Sequence, residues 1–253
     1  MTTLRDITAR VVPDLLSAFA LLTRLPVPDH KGTGAASAWA WPVVGAALGA
    51  IAAGFASVAL VVGLTPGVTA AAVLGLLALL TGGLHEDGLS DTADGLFGGW
   101  TKERRLEIMK DSRIGSYGML ALLLVTLARW SALVTILSLE SPWVALIAAG
   151  AVSRAPMALI MSTLPNARGA GLSHATGRPS SGVALFGVAL AGTLALLLAG
   201  FAALPMVILV TALTGLLALS ARKRIGGQTG DILGAAQQLA EAAALAVLAA
   251  RAG

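Results

Sequence analysis

Residues 116–139 read SYGMLALLLVTLARWSALVTILSL, a run of twenty-four in which Arg129 is the only full charge. Crossing the hydrocarbon core of a bilayer takes about 20 mostly apolar helical residues, so this stretch predicts a transmembrane helix. Further runs of the same kind lie at 39–64, 66–84, 143–164, 182–200, 202–221 and 231–250. Together they predict an all-α fold, a polytopic integral membrane bundle of about seven transmembrane helices. The composition agrees: 57% of the 253 residues are hydrophobic and 12% are charged, with a mean hydropathy of +0.85, whereas soluble domains are about 45–50% apolar. Cysteine is absent, which excludes disulfides and thiolate-bound zinc.

Moving outward, the breaks alternate in charge. Thr65-Pro66-Gly67, Glu140-Ser141-Pro142 and the region near Gly200 are short and carry no Lys or Arg. The other breaks hold Lys102, Arg104, Arg105, Lys110 and Arg113, then Arg168 and Arg178, then Arg222, Lys223 and Arg224. The bias of basic residues toward the cytoplasm places these loops, and the N-terminus, on that side, with the C-terminus outside. The net charge of +4 is therefore topological, and no nucleic-acid-binding motif accompanies it. Residues 4–25 alternate Leu15, Phe19 and Leu22 with Arg10 and Asp14 at helical spacing, an interfacial amphipathic helix ended by Pro26 and Pro28. The whole of 1–253 reads as one transmembrane catalytic domain, with 1–38 the interfacial helix and loop and 39–253 the bundle. All polar segments then share one face of the membrane. Gly45-x-x-x-Gly49 and Ala70-Ala71-Ala72 suit close helix packing in lipid.

Residues 82–99, GGLHEDGLSDTADGLFGG, concentrate His85, Glu86, Asp87, Asp91 and Asp94 in an otherwise oily chain. On a helix, Asp87, Asp91 and Asp94 stand at i, i+4 and i+7, within roughly a 60° arc. Three like charges on one arc repel, and a divalent cation would make the arrangement favourable. Hard oxygen ligands suit Mg²⁺ or Mn²⁺ bridging to phosphate. His85 serves as a base or as a hydrogen-bonded structural residue.

Lys110, Asp111, Ser112 and Arg113 precede Gly115 and Gly118 at the start of a helix, where backbone N–H groups receive anions. Arg129 and Arg154 lie inside spans, so each needs an anionic partner; an aspartate of the cluster or a ligand phosphate would serve. The loop 165–174 around Arg168 has the character of a phosphate lid, although a topogenic loop would look similar. After Gly226-Gly227-Gln228-Thr229-Gly230, Asp231, Gln238 and Glu241 share one side of the last helix.

These blocks resemble the cobalamin synthase family, the adenosylcobinamide-GDP ribazoletransferases (cobalamin-5′-phosphate synthases), over essentially the full length. The matching residues are Leu22-Thr23-Arg24-Leu25-Pro26-Val27-Pro28, Gly82-Gly83-Leu84-His85, Asp87-Gly88-Leu89, Asp91-Thr92-Ala93-Asp94-Gly95, Met109-Lys110-Asp111-Ser112-Arg113-Ile114-Gly115, Ser153-Arg154, Ala167-Arg168, and Gly226-Gly227-Gln228-Thr229-Gly230-Asp231 with Leu233-Gly234-Ala235. Two positions depart from the pattern. Glu86 stands where an apolar residue is usual and Gln238 where an acid is common, leaving Asp231 and Glu241 as the last span's carboxylates. The resemblance implies a transferase of the bacterial inner membrane in late cobalamin biosynthesis. It would join adenosylcobinamide-GDP to α-ribazole or its 5′-phosphate, release GMP and require Mg²⁺. Asp87, Asp91 and Asp94 are then expected to hold metal, with Asp111 and Asp231 as further candidates. Lys110, Ser112, Arg113, Arg154 and Arg168 are expected to hold substrate, and His85 or a cluster aspartate to act as base. The expected partners are these two small molecules and the lipid bilayer, with no nucleic acid and a homo-oligomer left open. The rival from another class is a cation-coupled transporter using the aspartates as an ion site, which would place polar residues at mid-membrane and on both faces.

Overall fold

Apolar runs punctuated by Pro and Gly give helices, and the computed structural model, which describes residues 4–139 and 141–252, contains no strand among them. Glu140, expected in a short break, and the side chains of residues 4–9 and 252 lie outside what is described. The helices are α1 (Leu4–Leu22), α2 (Trp41–Val61), α3 (Pro66–Thr81), α4 (Leu84–Gly98), α5 (Lys102–Ile108), α6 (Ser116–Leu139), α7 (Pro142–Thr163), α8 (Leu172–Thr176), α9 (Ser181–Ala199), α10 (Ala203–Ile225) and α11 (Gly230–Ala252). A 3-10 turn, Gly34–Ala40, leads into α2.

The boundaries follow local chemistry. Pro66 and Pro142 open α3 and α7 after extended Thr65 and Ser141, because proline presets helical φ and its missing N–H costs nothing in a first turn. Gly82 and Gly226, at φ of 67° and 78°, end α3 and α10 in the left-handed region that favours glycine. On α1, Ala18 and Leu22 are buried and Leu15 and Phe19 pack against the core. Trp39 Nε1 donates to Asp14 Oδ2 at 2.9 Å, which pins α1 to the 3-10 turn.

Five helical stretches are long and apolar enough to cross a membrane: Gly34–Val61, Ser116–Leu139, Pro142–Thr163, Ser181–Ile225 and Gly230–Arg251. The pair α3 and α4 adds a sixth only when taken together, and these two helices are bent by 91°. Length and composition thus give five or six candidate spans and leave the expected count of about seven unconfirmed, for two reasons. With 16 residues, α3 is about 24 Å long, short of the core's roughly 30 Å. Residues 181–225 count as a single apolar stretch of 45 residues, although a 3-10 turn at Gly200 (φ 56°) divides it into α9 and α10, of 19 and 23 residues.

The centre of the bundle is α7, 83% of whose apolar window is buried, with α11 at 72%; α6 and the stretch containing α9 and α10 are at 28% and present their apolar surface outward. Gly45 of α2 lies against the backbone of Gly150 on α7, and Gly49 against that of Leu146, so any Cβ at 45 or 49 would overlap main chain. This is the small-residue packing that the Gly45-x-x-x-Gly49 spacing predicts. Placing α7 and α11 innermost matters for the site, because the buried polar residues Ser153, Arg154, Gln237, Gln238 and Glu241 all belong to these two helices.

Candidate active site

Two consecutive glycines in the left-handed region, Gly82 and Gly83 (φ 67° and 69°), turn the chain sharply from α3 into α4. Helix α4 then crosses α11 at glycines. A Cβ on Gly88 would lie 2.9 Å from the Asp231 carbonyl oxygen, and one on Gly234 would lie 3.3 Å from the His85 Cα. This close crossing places Asp87 and Asp91 of α4 beside Asp231 of α11.

The polar loops gather at the same end of the bundle. Arg105 Nη1 donates to the Arg224 carbonyl oxygen at 3.2 Å, Arg224 Nη1 to that of Leu96 at 2.7 Å, and Arg168 Nη2 to that of Met109 at 3.4 Å. The loop containing Arg168 is stitched down. Ala167 N and Gln228 N donate to the carbonyl oxygens of Gln228 and Pro165, each at 2.8 Å, and Asn166 Oδ1 accepts from Gly169 N at 2.7 Å. The segment expected as a phosphate lid is thus an anchored loop over the start of α11.

Two cavities meet at Asp87. The larger, about 750 Å³, is lined by Arg24, Glu86, Asp87, Ser90, Asp91, Lys110, Asp111, Ser112 and Arg113, among others. The smaller, about 130 Å³, is bounded by His85, Asp87, Arg168, Ser173 and Asp231 together with Trp41 and Met157. Acidic and basic candidates from four separated segments therefore share one region, as the sequence predicts. Arg24 was not singled out as a site residue, although it lies in the Leu22–Pro28 block. Its side chain packs on Gly82 and its N–H donates to the Leu80 carbonyl at 2.7 Å, fixing it at the α3–α4 corner.

Within that region the roles divide differently from the expected arc. Asp94 is 7% exposed and caps α6: Oδ2 accepts from Gly115 N at 2.7 Å and Oδ1 from Gly118 N at 2.9 Å. A helix N-terminus offers unpaired N–H groups and a positive partial charge, and Gly115 and Gly118 lack the Cβ atoms that would collide with the carboxylate. The anion received at this helix start is the protein's own Asp94. Asp111 pairs instead with Arg113, through Nη2 at 2.7 Å and Nε at 3.1 Å, and this hydrogen-bonded guanidinium lowers the carboxyl pKa to about 2. Asp231 accepts from Arg168 Nη2 at 2.7 Å and Thr229 Oγ1 at 3.1 Å.

Arg154 also lies away from the cavities' charged walls. It is 2% exposed, and Nη1 donates to Glu241 Oε2 at 2.9 Å and Ser153 Oγ at 2.8 Å. Arg129 Nη2 donates to Glu241 Oε1 at 2.5 Å, and Nη1 to Gln238 Oε1 at 2.6 Å. Both intramembrane arginines therefore share Glu241 as an anionic partner, Arg129 lies in addition 3.5 Å from Glu86 Oε1, and neither pairs with a cluster aspartate. His85 is 2% exposed with Nε2 unpartnered, at the wall of the smaller cavity.

Asp87 and Asp91 remain. Neither makes a side-chain hydrogen bond or ion pair among the described residues; Asp87 is exposed and Asp91 partly buried. The charged groups nearest Asp91 include Asp87, Asp94 and Asp231, with Arg168 as a counter-charge. No three His, Asp or Glu side chains among the described residues converge closely enough to hold a metal ion by themselves. Magnesium typically takes one or two carboxylates and completes its shell with water and substrate phosphate. Two uncommitted carboxylates on an open cavity fit that donor set, and a four- or five-carboxylate cage does not.

Fold and site together define a polytopic helical membrane protein with an acidic helix facing cationic loops at one end of the bundle. The chain belongs to the cobalamin-5-phosphate synthase family, whose model matches residues 14–249. It is 46% identical over 251 residues to the adenosylcobinamide-GDP ribazoletransferase of Bradyrhizobium diazoefficiens, covering 95% of this chain and 94% of the relative. It is 42% identical over 241 residues to the enzyme of the same name from Mesorhizobium japonicum, covering 94% and 93%. The corresponding enzyme of Brucella anthropi is 39% identical over 251 residues, covering 94% of this chain and 96% of the relative. No solved structure matches.

Proposed function

We propose that this protein is a Mg²⁺-dependent transferase of the bacterial inner membrane that joins adenosylcobinamide-GDP to α-ribazole or α-ribazole 5′-phosphate. The reaction belongs to late cobalamin biosynthesis and releases GMP at a cytoplasm-facing site. The observation that carries this reading is the larger cavity, where Asp87 and Asp91 face Arg24, Lys110, Ser112 and Arg113, in a chain whose relatives carry that name. The basic loops at this end of the bundle favour the cytoplasmic orientation.

Because GMP leaves, the phosphorus attacked is the one attached to the corrinoid. A ribose hydroxyl of the acceptor forms the new P–O bond, the bond to the GMP oxygen breaks, and the hydroxyl proton passes to a nearby base or to solvent. When bound, Mg²⁺ supplies neutralisation of the diphosphate oxygens. Asp87 and Asp91 are the residues to hold it, with Asp231 at the adjoining chamber. Lys110 and Arg24, which line the same cavity, bind the phosphates, and Arg168, anchored through Asp231, bounds the neighbouring space. Orientation and charge placement carry most of the catalysis in such displacements. Asp91 and His85 are the candidate bases.

A cation-coupled transporter with the aspartate cluster as its ion site is not favoured: the relatives are named as transferases, and Asp94 of that cluster is taken up as the cap of α6. Purified protein in detergent or liposomes, given adenosylcobinamide-GDP, α-ribazole phosphate and Mg²⁺, should release GMP in proportion to joined corrinoid product and only when the acceptor is present. Release of GMP that is independent of the acceptor, or none at all, would refute the assignment.

A further inference from the structure

The network beneath α4 contains two guanidiniums, Arg129 and Arg154, sharing Glu241 at 2.5 Å and 2.9 Å. One carboxylate cannot balance two cations, and unbalanced charge inside a membrane bundle is costly. The second negative charge comes from α4. Glu86 Oε1 lies 3.5 Å from Arg129 Nη1 and accepts from Gln238 Nε2 at 3.0 Å, while Gln238 Oε1 accepts from Arg129 Nη1 at 2.6 Å. Glu86 thus ties the first turn of α4 to both α6 and α11, one residue before Asp87.

We propose that Glu86 is a positioning residue: its charge, held by Arg129 and Gln238, fixes the first turn of α4 and so the direction in which Asp87 faces the cavity. This rests on the reading of α4 as the reaction face. Position 238 is the neighbouring place from which the charge could be supplied, at the loss of the bond that Gln238 Nε2 donates to Gln237 Oε1 at 2.9 Å. A glutamate at 238 would stand on Arg129 directly and accept from a glutamine amide at 86.

Turnover and the thermal midpoint of the purified protein would be measured for Glu86→Gln, and for Glu86→Gln combined with Gln238→Glu. The single variant should lower kcat about tenfold, the scale of losses for groups that orient ligating side chains, with KM changed less than about twofold, and should lower the midpoint. The double variant should recover kcat to within about threefold and recover the midpoint, the signature of two coupled sites. Wild-type kcat in Glu86→Gln would overturn the proposal. So would a double variant that regains the midpoint but stays slow, since Glu86 would then act in the chemistry itself. If Glu86→Gln does not fold, the double variant decides alone, and failure to fold or turn over counts against the proposal. If the wild-type protein forms no product, the transferase reading fails, and the midpoints still judge the charge pairing.

Discussion

Glu241→Leu should cost about 3–5 kcal/mol, the scale seen when one partner of a buried ion pair is removed, against a total stability of about 5–15 kcal/mol for a typical domain. Glu241 is 3% exposed and accepts from Arg129, Arg154 and Gln237. Its loss leaves two buried guanidiniums facing only Glu86. The expected result is a protein that fails to fold or has a much lower thermal midpoint in detergent. A midpoint within a degree or two of wild type would show that the network does not hold α6, α7 and α11 together. The measurement also separates this carboxylate from those proposed to act in the reaction, since any activity loss here follows the loss of folded protein.

Asp91→Asn should do the reverse, lowering kcat at least about 10²-fold, the cost of deleting one well-placed electrostatic group, without lowering the thermal midpoint. The side chain keeps its shape and loses no hydrogen bond, and repulsion from Asp87 is relieved. Asp94→Ala supplies the contrast. Removing a helix cap costs about 0.5–2 kcal/mol, so this variant should lose stability while the fraction that stays folded keeps most of its turnover. Three aspartates that look equivalent on a helical wheel are thereby split by experiment into one that caps a helix and two that face substrate. An Asp91→Asn protein with near wild-type kcat would contradict the assignment.

Much of this molecule is legible in local sequence. Hydropathy gives α6 over Ser116–Leu139 to the residue, and Pro66 and Pro142 mark helix starts. Charge alternation correctly gathers the loops carrying Arg105, Arg168 and Arg224 at one end. What periodicity cannot show is which distant group takes up a given charge. Asp94 finds its partners at Gly115 and Gly118, more than twenty residues away, and Arg154 finds Glu241, 87 residues away. Both pairings depend on how α4, α7 and α11 pack, so a one-helix reading assigns Asp94 to metal and Arg154 to phosphate. The length of α3 was missed for a similar reason. The Gly82-Gly83 corner, held by Arg24, stops α3 before the apolar run would suggest.

The proposed function assigns Asp87 and Asp91 to the metal, and the Mg²⁺ dependence of GMP release tests that proposal most directly. Wild-type protein stripped with EDTA should release no GMP in the presence of both substrates and recover fully on addition of Mg²⁺. Asp87→Asn should raise the half-saturating Mg²⁺ concentration at least about tenfold at an unchanged thermal midpoint. Full GMP release in EDTA, or an Asp87→Asn protein with wild-type Mg²⁺ dependence, would contradict the account.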